Sequence, residues 1–329
     1  MEITLKEEIN MVLSNLEEKI LSILEDNDLN FKSPLYKIEI PFFSQVFVKD
    51  ESENPTGTHK DRMAYEVIKV YRNFLLTKKK NGLTNNLPNM SLLSSGAAAI
   101  AIQTALRQYN LPNLKVLLDE KTDSQILNYL KILGCDTYSY RFTEKKLSGE
   151  EILHLTNNDE GIDITSCKAF QPSKDFYRSL VEEISDLDFD YIFMPFGSGN
   201  LYETFINTSK ESNIVWLKKC NFMGGEIGNP LSIANQLYSP FRPFTDYSRQ
   251  WMKMFQLQGY CGVESNVYQV KENYLLEAIH LFELNKVSAS PEGCVGLALL
   301  IQLKDKIPKD KKILIINTGK PKINFNLIR

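Results

Sequence analysis

The sequence contains few cysteines and histidines, and neither residue type forms a cluster. Its 5 cysteines are widely spaced over 329 residues, without a C-x-x-C pair. This spacing excludes a disulfide framework or a zinc cluster of closely spaced thiols, and it fits a reducing cytoplasm. The 3 histidines, His59, His154 and His280, stand far apart, without H-x-x-H or H-E-x-x-H spacing. We therefore expect no metal site.

Long apolar runs and a surplus of positive charge are also missing. The chain has no run of about 18 apolar residues, and charges interrupt its first segment every few residues. We therefore expect neither a membrane span nor a signal peptide. The 38 basic and 41 acidic residues give a net charge of -3. Because this balance provides no basic field to attract a polyanion, we do not expect nucleic-acid binding.

The residues that are present are typical of a globular α/β protein. Hydrophobic residues make up 43% of the chain and aromatic residues 11%, which is enough for a buried core. Residues 3–24 have apolar side chains at helical spacing and predict an amphipathic helix, and "YKIEI" and "QVFVKD" predict two strands. Farther along, short apolar runs alternate with longer helical stretches. This alternation predicts the α/β class, with mostly parallel sheets and helices on both faces.

A polar segment interrupts this pattern near the middle of the chain. Charged and polar residues dominate residues 141–163, so we expect the chain to pass there from one α/β lobe to another. The sequence predicts an N-terminal lobe, residues 1–155, and a C-terminal lobe, residues 156–329. The first helix can pack on either lobe.

Three strand-to-helix junctions are rich in small and polar residues. They contain "NPTGTHKDR" (residues 54–62), "SSGAAA" (residues 94–99) and "GSGN" (residues 197–200), and the final strand "ILIINTG" ends similarly at Thr318. In open α/β sheets, backbone N–H groups and helix N-termini converge at the carboxyl ends of strands and bind ligands there. Several such loops in one chain predict an anionic ligand.

Each junction also has a plain structural interpretation. Asn, Pro and Gly in residues 54–62 make a turn, Thr58 is a suitable N-cap for a helix that starts near His59, and Lys60 can be a solvated side chain. The glycines of "GSGN" permit close approach to a phosphate, but such a turn can also simply join a strand to a helix. The loop matches neither G-x-G-x-x-G nor G-x-x-x-x-G-K-[ST], which argues against a dinucleotide fingerprint or a P-loop.

The order of these motifs resembles that of the pyridoxal-phosphate enzymes of the tryptophan synthase β-subunit superfamily (fold type II), and most of all that of threonine synthase. The resemblance covers nearly everything after the first helix. It implies a two-lobed, three-layer fold with the cofactor in the cleft. The matching segments are "SPL" (33–35), "VFVKDESENPTGTHKDR" (46–62), "SSGAAAIA" (94–101), "PFGSGN" (195–200), "EIGNPLS" (226–232), "SPEGCVGLALLIQL" (290–303) and "ILIINTG" (313–319).

The resemblance implies pyridoxal 5'-phosphate as the cofactor. By this match, Lys60 holds the cofactor covalently and afterwards moves protons. The phosphate is then cradled by Gly197, Ser198, Gly199 and Asn200. A reactive role of this kind gives a reason for a single lysine at the start of a long helix.

The resemblance also implies contacts around the rest of the cofactor and the substrate. Thr318 matches the hydroxyl residue that faces the pyridine nitrogen, which suits β- or γ-elimination or replacement more than transamination. His59 matches a residue that contacts the cofactor phosphate. The loop that grips the carboxylate of an amino-acid substrate corresponds to Ser94, Ser95 and Gly96.

Two departures separate this chain from threonine synthases. Where the family has an Asn bonded to the 3'-oxygen of the cofactor, this chain has Ala97. Losing that hydrogen bond costs roughly 1.5 to 3 kcal/mol, so we expect another donor to compensate or the chemistry to have shifted. Residues 170–184 lack the Gly-Lys-Thr-like stretch of threonine synthases, and no set of basic residues marks a site for the phosphate of O-phosphohomoserine.

Three functional hypotheses follow from these residues. The leading hypothesis is a cytoplasmic, homodimeric pyridoxal-phosphate lyase or synthase, threonine synthase-like, that acts on an amino acid. The second is a catalytically altered homologue that serves as a binding or regulatory subunit, although the intact Lys60 and "GSGN" loop argue against it. The third, a nucleotide-binding α/β protein, leaves the lysine segment unexplained.

Overall fold

The computed structural model describes residues 5–25, 32–82, 86–142, 145–165, 176–238 and 266–323. In these ranges helices and strands alternate, as the sequence predicts. The helices are α1 (Leu5–Glu25), α2 (Lys60–Asn81), α3 (Ala97–Gln108), α4 (Ser124–Leu133), α5 (Gly149–Leu155), α6 (Arg178–Glu183), α7 (Asn200–Glu211), α8 (Glu272–Leu284) and α9 (Val295–Gln302). The strands are β1 (Leu35–Ile40), β2 (Phe43–Asp50), β3 (Met90–Leu93), β4 (Lys115–Asp119), β5 (Asp136–Tyr140), β6 (Ile162–Asp163), β7 (Tyr191–Pro195), β8 (Asn221–Glu226), β9 (Val267–Gln269) and β10 (Ile313–Asn317).

The strands form two sheets in the described part of the chain. The larger sheet has the order β1-β2-β10-β7-β8-β9, and the smaller sheet has the order β5-β4-β3-β6. Within these sheets every strand pair is parallel except the pair of β1 with β2. The predicted α/β class with mostly parallel sheets is confirmed.

The last strand shows that helices cover both faces of the larger sheet. In β10, Leu314 and Ile316 belong to an apolar cluster that contains residues of α2, α3, α6 and α7. Ile313 and Ile315 belong to a second cluster, which contains residues of α8 and α9. Because side chains alternate between the faces of a strand, a strand covered on both faces has a continuous apolar run. The unbroken apolar run "ILII" (residues 313–316) is the sequence pattern of such a strand.

The predicted first helix is confirmed as α1, and it packs on α2. Ile20 and Ile23, three residues apart on one face, are buried in the same apolar cluster as α2. An exposed ion pair between Glu17 and Lys79 joins the two helices at the surface. Among the helices of the described ranges, none has the length and apolar character needed to cross a membrane.

One strand lies where the apolar pattern does not reveal it. The apolar stretch of residues 214–220 forms mostly turns, and β8 follows with two glycines in its sequence. A Cβ on Gly225 would lie 2.5 Å from Val295 Cγ1, so the missing side chain lets α9 pack directly on the strand. Glycine is depleted in strands, and for this reason the position of β8 is hard to read from the sequence.

The division into lobes of residues 1–155 and 156–329 stays a prediction. Both sheets take strands from both sides of residue 155. β1 and β2 precede this point and belong to the larger sheet, whereas β6 follows it and belongs to the smaller sheet. The chain therefore crosses between the sheets more than once.

Four charged side chains form a buried cluster between β2, α2 and α6. Arg62 Nε lies 2.6 Å from Glu51 Oε2, and Arg62 Nη1 lies 2.6 Å from Glu183 Oε1. Lys49 Nζ donates to Glu183, and Ser33 Oγ to Glu51. The side chains of Arg62 and Glu51 are 1% and 0% exposed, so each charge depends on its partners. We call Lys49, Glu51, Arg62 and Glu183 the buried charge cluster.

The pairing favours the charged forms of Glu51 and Arg62. Burial by itself raises the pKa of Glu51, but the Arg62 guanidinium and hydrogen bonds from Arg62, Ser33 and Asn54 hold it below its usual value. Burial opposes the charge of Arg62 too, but Glu51 and Glu183 raise its pKa. With two basic and two acidic members, the cluster is neutral as a whole. Removal of one member would leave an uncompensated buried charge.

We predict that Arg62→Met destabilises the protein strongly. The substitution keeps an apolar stem but leaves two buried carboxylates facing a single ammonium, which costs about 3 to 5 kcal/mol of unfolding free energy. Chemical denaturation at neutral pH measures the loss. Arg141→Met is the control, because Arg141 forms an exposed ion pair with Glu120 and its loss is expected to change little. Equal effects of the two substitutions would contradict a structural role for the cluster.

Candidate active site

Three loops leave the larger sheet at the same edge. β2, β10 and β7 are parallel neighbours, and Asp50 at the end of β2 lies opposite Asn317 at the end of β10. Parallel strands present their carboxyl ends at one edge, where ligands bind in α/β proteins. The segments that follow these strands contain Lys60, Thr318 and residues 197–200. The structure therefore brings the predicted lysine, hydroxyl and glycine loop to the same edge.

Lys60 begins α2 directly after a hydrogen-bonded turn. The side-chain amide of Asn54 donates to the Thr58 carbonyl oxygen at 3.0 Å and closes the turn. Gly57 has a φ of 86°, a left-handed conformation that favours glycine. Thr58 Oγ1 accepts the N–H of Lys60 at 3.2 Å, but the N-cap of the helix is His59 rather than the predicted Thr58, and His59 makes no side-chain capping bond. The helix starts at Lys60, one residue after the predicted start at His59.

The chain segment after β10 holds this turn in place. The backbone N–H of His59 donates to the Thr318 carbonyl oxygen at 3.1 Å, and the N–H of Lys320 donates to the Gly57 oxygen at 2.8 Å. These bonds run from backbone to backbone, so they fix the path of both segments. They place Thr318 beside the residue that immediately precedes Lys60.

His59 is held between Thr318 and Tyr177. Its Nδ1 lies 3.3 Å from the Thr318 carbonyl oxygen, and its ring stacks on Tyr177 at 5.1 Å between centroids. Burial, together with the charge of Lys60, lowers the pKa of His59 well below its usual value, so the ring is neutral. A neutral ring that donates from Nδ1 has an acceptor at Nε2, which does not suit a phosphate. The predicted contact of His59 with phosphate stays a prediction, and the geometry favours a structural contact.

The amine of Lys60 contacts a tyrosine that the sequence motifs do not reveal. Lys60 Nζ lies 2.8 Å from Tyr177 Oη, and Tyr177 is fully buried just before α6. The two residues are separated by 117 positions, so no local spacing connects them. The one signal in the sequence is that Tyr177 falls within residues 170–184, where the chain departs from threonine synthases. Residues 170–175 lie outside the described ranges.

The glycine loop joins β7 to the N-terminus of α7. Gly199 has a φ of 92°, and α7 begins at Asn200, which is buried. A Cβ on Gly197 would lie 2.9 Å from Leu237 Cδ2, so a larger residue at this position would have to displace the Leu237 side chain. The first N–H groups of a helix have no carbonyl partner within the helix, and the helix dipole makes this end positive. The loop is thus a cradle that suits a phosphate.

The predicted substrate loop joins β3 to α3. Ser94 is buried and its Oγ accepts the N–H of Gly96 at 3.0 Å, whereas Ser95 is exposed. Gly96 has a φ of 128°, and a Cβ there would lie 2.7 Å from Ile126 Cγ2. α3 packs on α2, the helix that carries Lys60. Among the described residues, no hydrogen bond or ion pair joins the loop directly to Lys60.

The three alanines after this loop form the first turn of α3. Ala98 and Ala99 are buried in the apolar cluster, and Ala97 is partly exposed at the helix N-terminus. None of the three carries a side-chain donor, so this turn offers only its backbone N–H groups.

In the part of the chain that the structure describes, no group of three or more His, Cys, Asp or Glu side chains is arranged to hold a metal ion.

Comparison with known proteins identifies the family. Residues 28–319 match the family described as "Pyridoxal-phosphate dependent enzyme". The chain belongs to this family. Its cofactor is therefore pyridoxal 5'-phosphate, as the resemblance implies. A sequence comparison with curated proteins finds no match.

Solved structures share the fold over most of the chain. A pyridoxal 5'-phosphate-dependent aspartate racemase has a TM-score of 0.65 at 14% identity, with 95% of this chain and 96% of that chain covered. A hydrogen sulfide-producing enzyme from Fusobacterium nucleatum has a TM-score of 0.64 at 18% identity, with 89% and 96% covered. The processed form of threonine deaminase isoform 2 from Solanum lycopersicum has a TM-score of 0.59 at 17% identity, with 95% and 91% covered. The predicted fold type II architecture is confirmed.

The residues at the edge of the sheet fit pyridoxal phosphate. The cofactor carries an aldehyde, a phosphate and a ring nitrogen, and the edge offers an amine at Lys60, a helix N-terminus with a glycine loop, and a hydroxyl at Thr318. Gly197 and Gly199 carry no side chains, so the backbone N–H groups of this loop can approach a phosphate closely. Ala97 has no polar side chain where the family has an amide. The donor set therefore suits the group even without the missing amide.

We predict that Gly199→Ala weakens cofactor binding. A side chain at a left-handed φ costs roughly 1 to 2 kcal/mol, and relief of that strain moves the loop. The expected increase in the dissociation constant of pyridoxal phosphate is about tenfold, measured by equilibrium dialysis. Gly82→Ala is the control, because Gly82 also has a left-handed φ, 62°, with open space around it at the far end of α2. An unchanged dissociation constant in Gly199→Ala would argue against the cradle.

A partly buried carboxyl near the cradle predicts a pH effect on stability. Burial raises the pKa of Glu203, in the first turn of α7, from 4.5 to about 6. Because the folded pKa is raised, the ionised form destabilises the fold above pH 6, and the penalty disappears below 4.5. Glu203→Gln is expected to raise the free energy of unfolding by about 1 kcal/mol at neutral pH, after allowance for solvent screening.

The gain in Glu203→Gln is expected to fade as the pH falls through the range in which Glu203 becomes protonated. Urea denaturation at neutral and acidic pH measures this difference. Glu211→Gln on the same helix is the control, because Glu211 is half exposed and pairs with Arg178. A gain of the same size at both pH values would rule out ionisation of Glu203 as its cause.

Proposed function

We propose that this chain is a pyridoxal-phosphate-dependent lyase or synthase that carries out elimination or replacement at the β- or γ-carbon of an amino acid. One arrangement carries the proposal. The amine of Lys60, the hydroxyl residue Thr318 and the glycine loop of residues 197–200 follow three adjacent parallel strands at one sheet edge. When bound there, pyridoxal phosphate supplies an electron sink for the bonding electrons at the substrate Cα.

The proposed role of residues 197–200 is to bind the phosphate and so fix the position of the ring. Backbone N–H groups at the start of α7 are directed toward this loop, and the helix dipole adds to their effect. Ser198 and Asn200 add side-chain donors. Because these groups belong to rigid elements, the position of the ring does not depend on mobile side chains.

Lys60 is proposed to act at Nζ in two ways. Its neutral amine would bond to the cofactor aldehyde with release of water. Once freed from the cofactor, the amine would take a proton from the substrate Cα or return one. Its position at the first residue of α2, fixed by the turn before it, limits the reach of Nζ to one side of the site. A group that acts as both acid and base from one side of the site exchanges protons with one face of the substrate.

Thr318 and the substrate loop are proposed to select the type of reaction and substrate. A hydroxyl can donate or accept a hydrogen bond but carries no charge at neutral pH, so it does not hold the ring nitrogen as a cation. This favours elimination or replacement over transamination. The loop of residues 94–96 at the N-terminus of α3 suits the carboxylate of an amino acid.

Threonine synthase-like specificity is the finer part of the proposal. The segments "EIGNPLS" and "SPEGCVGLALLIQL" support it by resemblance. The structures of a threonine deaminase and a hydrogen sulfide-producing enzyme favour elimination or replacement more broadly. An aspartate racemase of the same fold makes racemisation an outcome that the assay must include. The homodimer and the cytoplasmic location stay predictions.

A second candidate function rests on Ala97. With no side-chain donor there, a homologue that binds pyridoxal phosphate without turnover would serve as a binding or regulatory subunit. The two functions predict the same cofactor on Lys60 but different results with substrates. Release of keto acid or exchange of the side-chain substituent separates them.

We predict that borohydride reduction of the protein with pyridoxal phosphate attaches a pyridoxyl group to Lys60. Peptide mass spectrometry identifies the modified residue. Lys60→Ala is expected to lose the modification, whereas Lys69→Ala, which removes a surface lysine of the same helix paired with Glu66, keeps it. Modification of other lysines with none at Lys60 would sink the proposal.

The same preparations are then tested with O-substituted serines and homoserines and with free amino acids. Turnover by wild-type protein that Lys60→Ala loses is the result expected of a lyase or synthase. Labelled Lys60 without any turnover would favour the binding subunit. Loss of optical activity without release of a substituent would indicate a racemase.

A further inference from the structure

The environment of the Lys60 amine is dominated by one tyrosine. Lys60 Nζ lies 2.8 Å from Tyr177 Oη and 5.4 Å from the centre of its ring. A phenol has both an O–H and lone pairs, so it can accept from an ammonium and donate to a neutral amine. Tyr177 can therefore bond to Nζ in either protonation state without moving.

Tyr177 has little freedom to leave this position. Tyr177 is 0% exposed, and its ring stacks on His59. The ring of Phe176 meets it edge-on, with 6.4 Å between the ring centroids. Tyr177 stands immediately before α6, and that helix is fixed to α2 through the bonds of Arg62 to Ser179 and Glu183. Lys60 and Arg62 are two residues apart on α2, so one helix pair carries both contacts.

The other charged and titratable groups around the pair are already engaged. His59, stacked on Tyr177, is neutral because burial lowers its pKa. Asp61 accepts hydrogen bonds from Thr56, and burial raises its pKa to about 6. The buried charge cluster of Lys49, Glu51, Arg62 and Glu183 has two charges of each sign, paired with one another. Among the described residues, the hydrogen-bond partner of Lys60 Nζ is thus the Tyr177 phenol.

We propose that Tyr177 is a positioning residue for Lys60, which holds Nζ at a fixed place and adjusts its hydrogen bond to the protonation state of the amine. This rests on the proposed function, because it assigns a task to the same lysine. An ammonium is held by the phenol oxygen as acceptor, and a neutral amine is held by the phenol O–H as donor. No proton needs to pass to Tyr177 itself.

The hydrogen bond with Tyr177 is expected to affect the reactivity of Lys60 in two ways that can be measured separately. Because the bond to an ammonium is charge-assisted, it favours the protonated amine over the neutral one. Because it also fixes Nζ, it raises the rate at which the neutral amine meets the aldehyde. Loss of the phenol removes both effects, one seen in the pH profile and the other in the limiting rate.

The test measures how fast Lys60 captures pyridoxal phosphate in cofactor-free protein. Cyanoborohydride traps the product, and mass spectrometry counts the pyridoxyl group on Lys60 across a range of pH. In Tyr177→Phe, the midpoint of this profile is expected to move toward acid, because the variant lacks the hydrogen bond that the ammonium makes to the phenol. The limiting rate at high pH is expected to fall several-fold.

Tyr71→Phe is the matched control. Tyr71 lies on α2, is fully buried, and donates its O–H to the Pro88 carbonyl oxygen at 2.7 Å, so the variant loses a comparable buried bond far along the helix. Its profile is expected to match that of wild type. Thermal unfolding of both variants checks that they fold.

Tyr177→His is a second variant. Its flat ring can stack on His59, but it has no phenol that reaches Nζ. The same shift of the midpoint toward acid is expected. A wild-type profile in either folded Tyr177 variant overturns the inference. If Lys60 of wild-type protein captures no pyridoxal phosphate at all, the proposed function fails instead. A shift in Tyr71→Phe equal to that in Tyr177→Phe would assign the effect to general loosening of α2 and also overturn the inference.

Discussion

The buried pairing of Arg62 with Glu51 and Glu183 is the interaction on which the geometry of the site depends. It joins the end of β2, the start of α2 and the short helix α6, segments that are far apart in the chain. Isolated charges in the interior cost several kcal/mol, so the cluster is stable only when every member is in place. The turn that precedes Lys60 and the tyrosine that contacts its amine both belong to segments that this cluster holds.

The lysine turn is positioned mainly by backbone groups. His59 and Gly57 bond to the segment that follows β10, and the Asn54 amide closes the turn. Positions held in this way tolerate changes in the neighbouring side chains. The fold is shared with a racemase, a deaminase and a hydrogen sulfide-producing enzyme at identities of 14% to 18%.

Local patterns in the sequence were sufficient for much of the fold and part of the site. The alternation of apolar runs predicts the parallel α/β class, and Gly96 and Gly199 mark turns that need a left-handed φ. Lys60 could be predicted because its turn and helix start are consecutive in the chain. Each of these features depends on residues within a few positions of one another.

Features that depend on distant residues could not be predicted. Tyr177 meets Lys60 only because the sheet and α6 fold together, and no periodic pattern encodes that contact. The charges of Lys49 and Glu183 look like ordinary surface residues in the sequence, since charged side chains are rarely buried. β8 was hidden because it contains two glycines, which are rare in strands, and one of them, Gly225, is needed for the close packing of α9.

A crystal structure of the protein grown with pyridoxal phosphate tests the central claim most directly. The arrangement at the sheet edge predicts continuous electron density from Lys60 Nζ to the cofactor, with the phosphate against residues 197–200 and Thr318 beside the ring. The claim would be contradicted by a phosphate bound elsewhere, with Lys60 still hydrogen-bonded to Tyr177 and the glycine loop without a ligand.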